Sequence, residues 1–178
     1  MVKPLPLPSA TVGWKAADGP LLTLMPGQLH FGKNLVLKTL LGSCVGLTLW
    51  HPEKRIGGMC HYLLPNRTRR GNEPLDGRFG DEAVQTLVNA LERAGTQPQD
   101  YIAHLYGGAD TMPDGASFKL NVGERNIEQA WQLIDKHGFQ LDGVDVGDFV
   151  PRSVSLDLRS GLVQIKRGAA SAPGGKPA

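Results

Sequence analysis

A chain of 178 residues is long enough to form one domain whose hydrophobic core needs no disulfide or metal to hold it. Its formal net charge of +2 excludes a strong electrostatic attraction to nucleic acid or to acidic membranes. The two cysteines, Cys44 and Cys60, are too few for a disulfide framework. The sequence shows no apolar run that could span a bilayer and no secretory signal, so we expect a cytoplasmic protein with free thiols.

The first half of the chain predicts a β-hairpin. Residues 1–20 read as a flexible N-terminal arm, and 21–167 as a single domain. Alternating apolar residues predict strands at Leu35 to Leu40, Val45 to Trp50 and Arg55 to Leu64. The turn at residues 51–54 joins the last two strands. The loop after them carries Arg67, Arg69 and Arg70, which predict either a solvated loop or a patch that meets an acidic partner.

Two helices are predicted in the second half, Phe79 to Ala94 and Glu124 to His137. Both show apolar residues at positions i, i+3, i+4 and i+7, and each is followed by a glycine that ends it. The remaining strands are predicted at Tyr101 to Tyr106, Val144 to Val146, Val154 to Leu158 and Leu162 to Lys166. Residues 168–178, small and rich in Pro and Gly, read as a disordered tail. The pattern indicates a layered α/β or α+β domain.

The hairpin brings a cysteine and a histidine to one face of a sheet. If Trp50 pairs with Arg55, then Cys44 lies directly opposite His61, with Cβ atoms about 4.5–5.5 Å apart. An imidazole at that distance can take the thiol proton, and the resulting ion pair would lower the thiol pKa well below about 8.5. Gly42 and Ser43 predict a tight turn whose backbone N–H groups can bind an oxyanion.

Spacing alone leaves several alternatives open for this pair. Cys44 and His61 are compatible with core packing, and with Cys60 they give a weak zinc hypothesis, although residues 60 and 61 point to opposite faces of a strand. Cys60 itself reads as a core thiol. A redox pair of Cys44 and Cys60 would need the two thiols close together, which the predicted faces do not allow.

Several motifs in order resemble the CheD family of chemoreceptor glutamine deamidases. The chain has Thr39-Leu-Leu-Gly-Ser-Cys-Val45, then Gly57-Gly-Met-Cys-His61 with Leu64-Pro65, and later Gly107-Gly-Ala109 and Gly123-Glu-Arg-Asn-Ile127. The closing strands, 144–166, are also similar, so the resemblance covers about residues 30–167. It implies a three-layer α/β sandwich of mixed or antiparallel sheet with two main helices, related in its core to deamidating toxins.

The resemblance also implies the site. Its catalytic residues would be Cys44 as nucleophile and His61 as base, with no cofactor and no metal. The family threonine that orients the histidine lies six residues before the cysteine, where this chain has Lys38. Thr39, one position later, is the candidate, although a one-residue shift along a strand reverses the side-chain direction. Cys60 and Asp148 are further departures from the family pattern.

The implied activity is deamidation of glutamine side chains on the cytoplasmic helices of methyl-accepting chemotaxis receptors, through a thioester. A CheC-type phosphatase is a second implied partner. The alternative is a non-catalytic binding module that docks receptors or such a phosphatase. A transglutaminase or a thiol protease would use the same acyl-enzyme chemistry.

Overall fold

The structure, a computed structural model, describes residues 19–111 and 121–169. The predicted N-terminal arm, apart from residues 19 and 20, lies outside the described residues, as does the predicted tail beyond residue 169. Across the described ranges, no helix has the length and apolar character needed to cross a membrane.

The described residues form nine strands, two α-helices and one short 3-10 helix. The strands are β1 (Leu21–Leu24), β2 (Leu29–Gly32), β3 (Val36–Leu41), β4 (Val45–His51), β5 (Ile56–Tyr62), β6 (Ile102–Gly107), β7 (Gln140–Val146), β8 (Arg152–Asp157) and β9 (Val163–Arg167). The helices are α1 (Gly80–Arg93), the 3-10 helix (Pro98–Asp100) and α2 (Val122–His137). The sequence did not predict β1 and β2, which at four residues each are too short to show a clear alternating pattern.

The strands make two mixed sheets that stack in a three-layer sandwich. The larger sheet has the order β2-β5-β4-β6-β7, and the smaller has the order β1-β3-β8-β9. One face of the larger sheet packs against α1 and α2 through an apolar core that includes Leu47, Cys60 and Leu87. Its other face packs against the smaller sheet through a second core that includes Met59 and Leu156. The predicted three-layer α/β fold is therefore confirmed.

Local sequence explains how α2 is placed. The side chain of Asn121 caps its start by accepting a hydrogen bond of 3.0 Å from the backbone N–H of Glu124. Gly138, at φ 74°, ends the helix in the left-handed conformation that glycine adopts without strain. Between these ends the buried residues Ala130, Leu133 and Ile134 face the larger sheet.

The predicted register of the β4–β5 hairpin was wrong by two residues. Trp50 pairs with Gly57, not with Arg55, and His61 lies opposite Gly46, not opposite Cys44. The cause is the turn, because Arg55 adopts a left-handed φ of 51° and donates its N–H to the carbonyl of His51 at 2.8 Å, so it leaves the ladder. A slip of two residues keeps every side chain on its predicted face.

The arginine-rich loop is tied to the start of α1. Arg67 donates two hydrogen bonds of 3.0 Å to the buried carboxylate of Glu82, and Arg69 lies 3.6 Å from the same group. The hydrogen bond from Arg67 is the main reason that the pKa of Glu82 is lowered. Arg70 is exposed. Two of the three arginines therefore hold the loop in place.

Candidate active site

Thr39 and His61 meet between the two sheets. Thr39 is on β3 of the smaller sheet, His61 is on β5 of the larger one, and both are almost fully buried. The Oγ1 atom of Thr39 lies 2.7 Å from Nδ1 of His61, and its hydroxyl donates to the carbonyl of Leu24 at 2.8 Å. The one-residue offset from the family position does not turn Thr39 away, because Leu37, Thr39 and Leu41 all point into the sandwich.

These two contacts determine which nitrogen of His61 carries the proton. A hydroxyl has one hydrogen, and a carbonyl oxygen can only accept, so both contacts of Thr39 are hydrogen bonds only if that hydrogen goes to the carbonyl of Leu24. Thr39 must then accept from His61, so the proton of the imidazole is on Nδ1. The other nitrogen, Nε2, keeps a free lone pair, and it has no hydrogen-bond partner within the described part of the chain. The ring thus presents an acceptor lone pair on Nε2.

Cys44 lies in the bend between β3 and β4, one residue before the first ladder pair of β4. It is half-buried and packs against the core between the two sheets. Gly46 is directly opposite His61, and Cys44 is two residues from Gly46, so Cys44 is a diagonal neighbour of His61 on the same face. Such diagonal Cα positions are about 7–8 Å apart, a distance that side chains can bridge.

Burial favours the neutral form of both the thiol and the imidazole. Burial raises the pKa of Cys44 above its usual value and lowers the pKa of His61 to about 4. No hydrogen bond joins the two, since Nε2 of His61 is without a partner among the residues described. The predicted ion pair, with a thiol pKa well below the ordinary value, is therefore absent from this state.

The loop after β6 fixes the backbone on either side of Ser43. Gly108 donates its N–H to the carbonyl of Cys44 at 2.8 Å, and Ala109 donates to the carbonyl of Gly42 at 2.9 Å. Gly107 has a φ of 100°, and a Cβ atom there would lie 2.2 Å from the carbonyl oxygen of Cys44. Only glycine permits this approach. The Gly-Gly pair thus supports the cysteine bend as well as ending a strand.

Within the described part of the chain, two backbone donors of the bend have no acceptor. Among the hydrogen bonds of the described residues, none uses the N–H of Ser43 or of Cys44. Unpaired N–H groups beside a nucleophile are what an oxyanion site requires. An oxyanion site at Gly42 and Ser43 stays a prediction.

Asn126 on α2 was not predicted as part of the site. Its Nδ2 donates to the carbonyls of Ser43, at 3.0 Å, and Leu63, at 2.8 Å. The signal in the sequence was a polar residue within the motif at the start of α2, but nothing in the sequence indicated its partners.

Cys60 is separate from this arrangement. It lies opposite Leu47 in the core beneath the helices, and burial raises its pKa to about 11. No group of three or more His, Cys, Asp or Glu side chains that could hold a metal occurs within residues 19–111 and 121–169. The two cysteines are free. Their opposite faces argue against both the zinc and the redox alternatives.

Comparisons with known proteins now assign the chain to a family. A sequence profile described as "CheD chemotactic sensory transduction" matches residues 63–167. A relative from Dechloromonas aromatica, named "Probable chemoreceptor glutamine deamidase CheD 3", is 45% identical over 80% of this chain and 84% of its own length. The chain belongs to the CheD family.

Other CheD relatives extend the similarity over the same region. "Probable chemoreceptor glutamine deamidase CheD 1" of Chromobacterium violaceum is 42% identical, over 84% of this chain and 78% of that protein. "Probable chemoreceptor glutamine deamidase CheD" of Pseudomonas syringae pv. tomato is 40% identical, over 82% of this chain and 88% of that protein. Among solved structures, the Bacillus licheniformis hypothetical protein YfiH has a TM-score of 0.42 at 15% identity, over 65% of this chain and 49% of that one. That similarity is too low to inform the fold.

Proposed function

We propose that this CheD-family protein deamidates glutamine side chains on the cytoplasmic helices of chemotaxis receptors, with Cys44 as nucleophile and His61 as base. Thr39 orients His61, and backbone N–H groups at Ser43 and Cys44 bind the oxyanion. Relatives at 40–45% identity over most of the chain bear the name of this activity. Because such glutamines lie inside the cell, the proposed location of the protein is the cytoplasm.

One observation carries the choice of His61 as the base. The hydroxyl of Thr39 donates to Leu24 and accepts from Nδ1 of His61, which leaves Nε2 with a lone pair on the face shared with Cys44. A histidine that only filled space in the core would need no such tautomer. The arrangement follows the logic of a catalytic triad, in which a third group fixes the imidazole so that its other nitrogen can take a proton.

The reaction proceeds in two halves. His61 takes the proton of Cys44 as the sulfur attacks the side-chain amide carbon of the glutamine, and the amide oxygen becomes an oxyanion. The carbon–nitrogen bond then breaks, and His61 returns the proton to the departing ammonia, which leaves a thioester. Water, deprotonated by His61, attacks the thioester and releases glutamate and the free thiol. No metal or organic cofactor takes part in these steps.

The neutral forms of Cys44 and His61 determine when the thiol loses its proton. Since the pKa of Cys44 is raised and that of His61 is lowered, a thiolate is not stored before the substrate binds. Proton transfer must therefore accompany attack, when the developing oxyanion receives hydrogen bonds from the backbone. Binding of the receptor helix also has to bring the thiol within reach of Nε2, because the two are not hydrogen-bonded here.

The test is intact-mass spectrometry of a purified chemoreceptor cytoplasmic fragment incubated with the protein. The wild type should add about one mass unit per modified glutamine, because an amide becomes an acid when the thioester is hydrolysed. Cys44→Ala and His61→Gln should give no shift. Cys60→Ala is the matched control, since it removes the other thiol from the opposite face, and it should retain the shift.

A shift that persists in Cys44→Ala would disprove the proposed nucleophile. No shift by the wild type with several receptors, while Cys44 still reacts with a thiol reagent, would favour the second candidate function. That candidate is a binding module for receptors or a CheC-type phosphatase. The absence of an ion pair in the resting site is the observation in its favour, and retained chemotactic signalling by a Cys44→Ala strain would support it.

A further inference from the structure

Asn126 holds the two chain segments that carry the proposed catalytic pair. It is the fifth residue of α2 and is fully buried. Its Nδ2 donates to the carbonyl of Ser43 at 3.0 Å and to that of Leu63 at 2.8 Å. Because both partners are acceptors, the amide orientation is determined, with Nδ2 toward them and Oδ1 away.

The two carbonyls lie where the ladder between β4 and β5 has ended. Val45 and Tyr62 are the last paired residues at this end of the hairpin, and Ser43 and Leu63 lie just beyond them. Asn126 bridges the segments at this point in place of a ladder hydrogen bond. The phenol of Tyr62 also donates to the backbone carbonyl of Asn126 at 2.5 Å, which fixes the helix against the strand that carries His61.

The bond to Ser43 also determines where the N–H of Cys44 points. The carbonyl of Ser43 and the N–H of Cys44 belong to one peptide group, and in a trans peptide they point in opposite directions. With the carbonyl held toward Asn126, the N–H is directed away from α2. No hydrogen bond among the described residues uses this N–H, so none of those residues competes with an oxyanion for it.

The side chain of Asn126 lowers stability at this position through its oxygen atom. Its Oδ1 is buried and has no hydrogen-bond partner within the described ranges. A buried acceptor without a partner lowers stability, whereas an apolar side chain of similar volume would avoid that cost. The two bonds made by Nδ2 are the feature that only an amide supplies here.

We propose that Asn126 is a positioning residue that orients the Ser43–Cys44 peptide group, so that the N–H of Cys44 serves as an oxyanion donor. The inference rests on the proposed function, because an oxyanion forms only if Cys44 attacks an acyl or amide carbon. It adds a residue on α2 to a site otherwise built from β3, β5 and the bend before β4.

Two electrophiles that react with the same thiol separate the orientation of the Ser43–Cys44 peptide group from access to Cys44. With iodoacetamide, a sulfur–carbon bond forms as the carbon–iodine bond breaks, iodide leaves, the thiol proton passes to His61, and no oxyanion forms. With p-nitrophenyl acetate, a sulfur–carbon bond forms through a tetrahedral oxyanion, the ester carbon–oxygen bond breaks, p-nitrophenolate leaves, and the thiol proton passes to His61. The ratio of the acylation rate to the alkylation rate therefore reports the oxyanion site alone. Cys44→Ala supplies the background for both reagents.

The variants are Asn126→Ala and Asn126→Asp, the second of which keeps the volume but cannot donate when ionised. The matched control is Asn121→Ala, which weakens the same helix at its cap without touching Ser43 or Leu63. We expect the ratio to fall at least about tenfold in both Asn126 variants and to stay unchanged in the control. With a receptor fragment as substrate, kcat should fall and KM should stay unchanged.

A ratio within about twofold of the wild type in a folded Asn126 variant would overturn the inference. If Asn126→Ala does not fold, the Asn126→Asp variant decides by the same ratio. Wild-type protein that is alkylated but never acylated at Cys44 would overturn it as well, along with the proposed function. Normal acylation by the wild type and an unchanged ratio in the variants would reject only the role of Asn126.

Discussion

Replacing Thr39 by valine removes one oxygen atom from the centre of the site. Valine has nearly the same shape and suits a strand, so the β3–β8 ladder and the packing between the sheets should survive. The change deletes the acceptor for Nδ1–H of His61 and the hydroxyl that donates to Leu24. It therefore tests whether the Thr39 hydroxyl controls the imidazole.

The expected effects on stability and on rate differ in size. Leaving the buried Nδ1–H of His61 without an acceptor should lower the free energy of unfolding by about 1–3 kcal/mol. Domains of this size are stable by about 5–15 kcal/mol, so the variant should still fold. Without its anchor the imidazole can rotate or carry its proton on Nε2, which cannot accept the thiol proton. Since a general base contributes about 10²–10⁴-fold, we expect kcat to fall about 10–100-fold.

The assay is the time course of mass gain on a receptor fragment, combined with urea unfolding of each variant. Thr39→Ser is the matched control, because it keeps the hydroxyl and removes only a methyl group, and it should recover kcat to within about threefold of wild type. A folded Thr39→Val protein with kcat within about twofold of wild type would refute the triad argument. So would a Thr39→Ser variant as slow as Thr39→Val.

Two further predictions follow from burial and from backbone geometry. Because folding lowers the pKa of His61 from 6.5 to about 4, the unfolded chain binds the proton first on acidification. Stability present above pH 6.5 should therefore be lost as the pH falls toward 4, by roughly 3 kcal/mol, and urea unfolding of His61→Gln should lack this loss. The acid limb of kcat/KM should likewise lie near pH 4, and a limb near 6.5 would contradict the burial argument. Gly107→Ala places a Cβ 2.2 Å from the carbonyl oxygen of Cys44, whereas Gly95→Ala meets open space at a similar positive φ. We expect Gly107→Ala to be less stable than Gly95→Ala by about 1–3 kcal/mol in urea unfolding and to lose deamidation, and equal behaviour of the two variants would contradict the proposed support of Cys44.

The faces of the hairpin could be predicted from the sequence, but its register could not. Alternation of apolar and small residues shows which side chains share a face, and the structure places Gly46, Thr48 and Met59 between the sheets as that pattern predicts. Register depends on the turn, and the left-handed conformation of Arg55 leaves no mark in the sequence. The prediction that Cys44 and His61 share a face held because the error was an even number of residues.

Contacts between distant segments account for what the sequence did not show. Asn126 reaches Ser43 across 83 residues and Leu63 across 63, and no periodic pattern connects positions so far apart. The link from Thr39 to His61 crosses from one sheet to the other, and β1, which supplies the carbonyl of Leu24, was not predicted. Motif resemblance indicated the residue types, while their partners depended on how the layers stack.

Burial explains why the predicted ion pair is absent. The spacing of Cys44 and His61 suggested a thiolate beside an imidazolium, but charges transferred into the space between two sheets lose their hydration. Each group responds by favouring its neutral form, and the structure offers neither a hydrogen bond between them nor a nearby charge that would offset the loss. The ionised pair becomes favourable only when another interaction stabilises it.

A substrate amide would supply that interaction. When the glutamine carbonyl lies beside the N–H of Cys44, which no other described residue uses, negative charge can move from sulfur to the amide oxygen. That oxygen then accepts a hydrogen bond from the N–H. In the proposed mechanism, protonated His61 then lies close to the oxyanion whose charge it balances. Before the receptor docks, a neutral thiol reacts slowly with other electrophiles, because the thiolate is the reactive species. Burial of the pair thus links the chemistry to correct docking, and it predicts that alkylation of Cys44 in the free protein is slower than that of an exposed cysteine at the same pH.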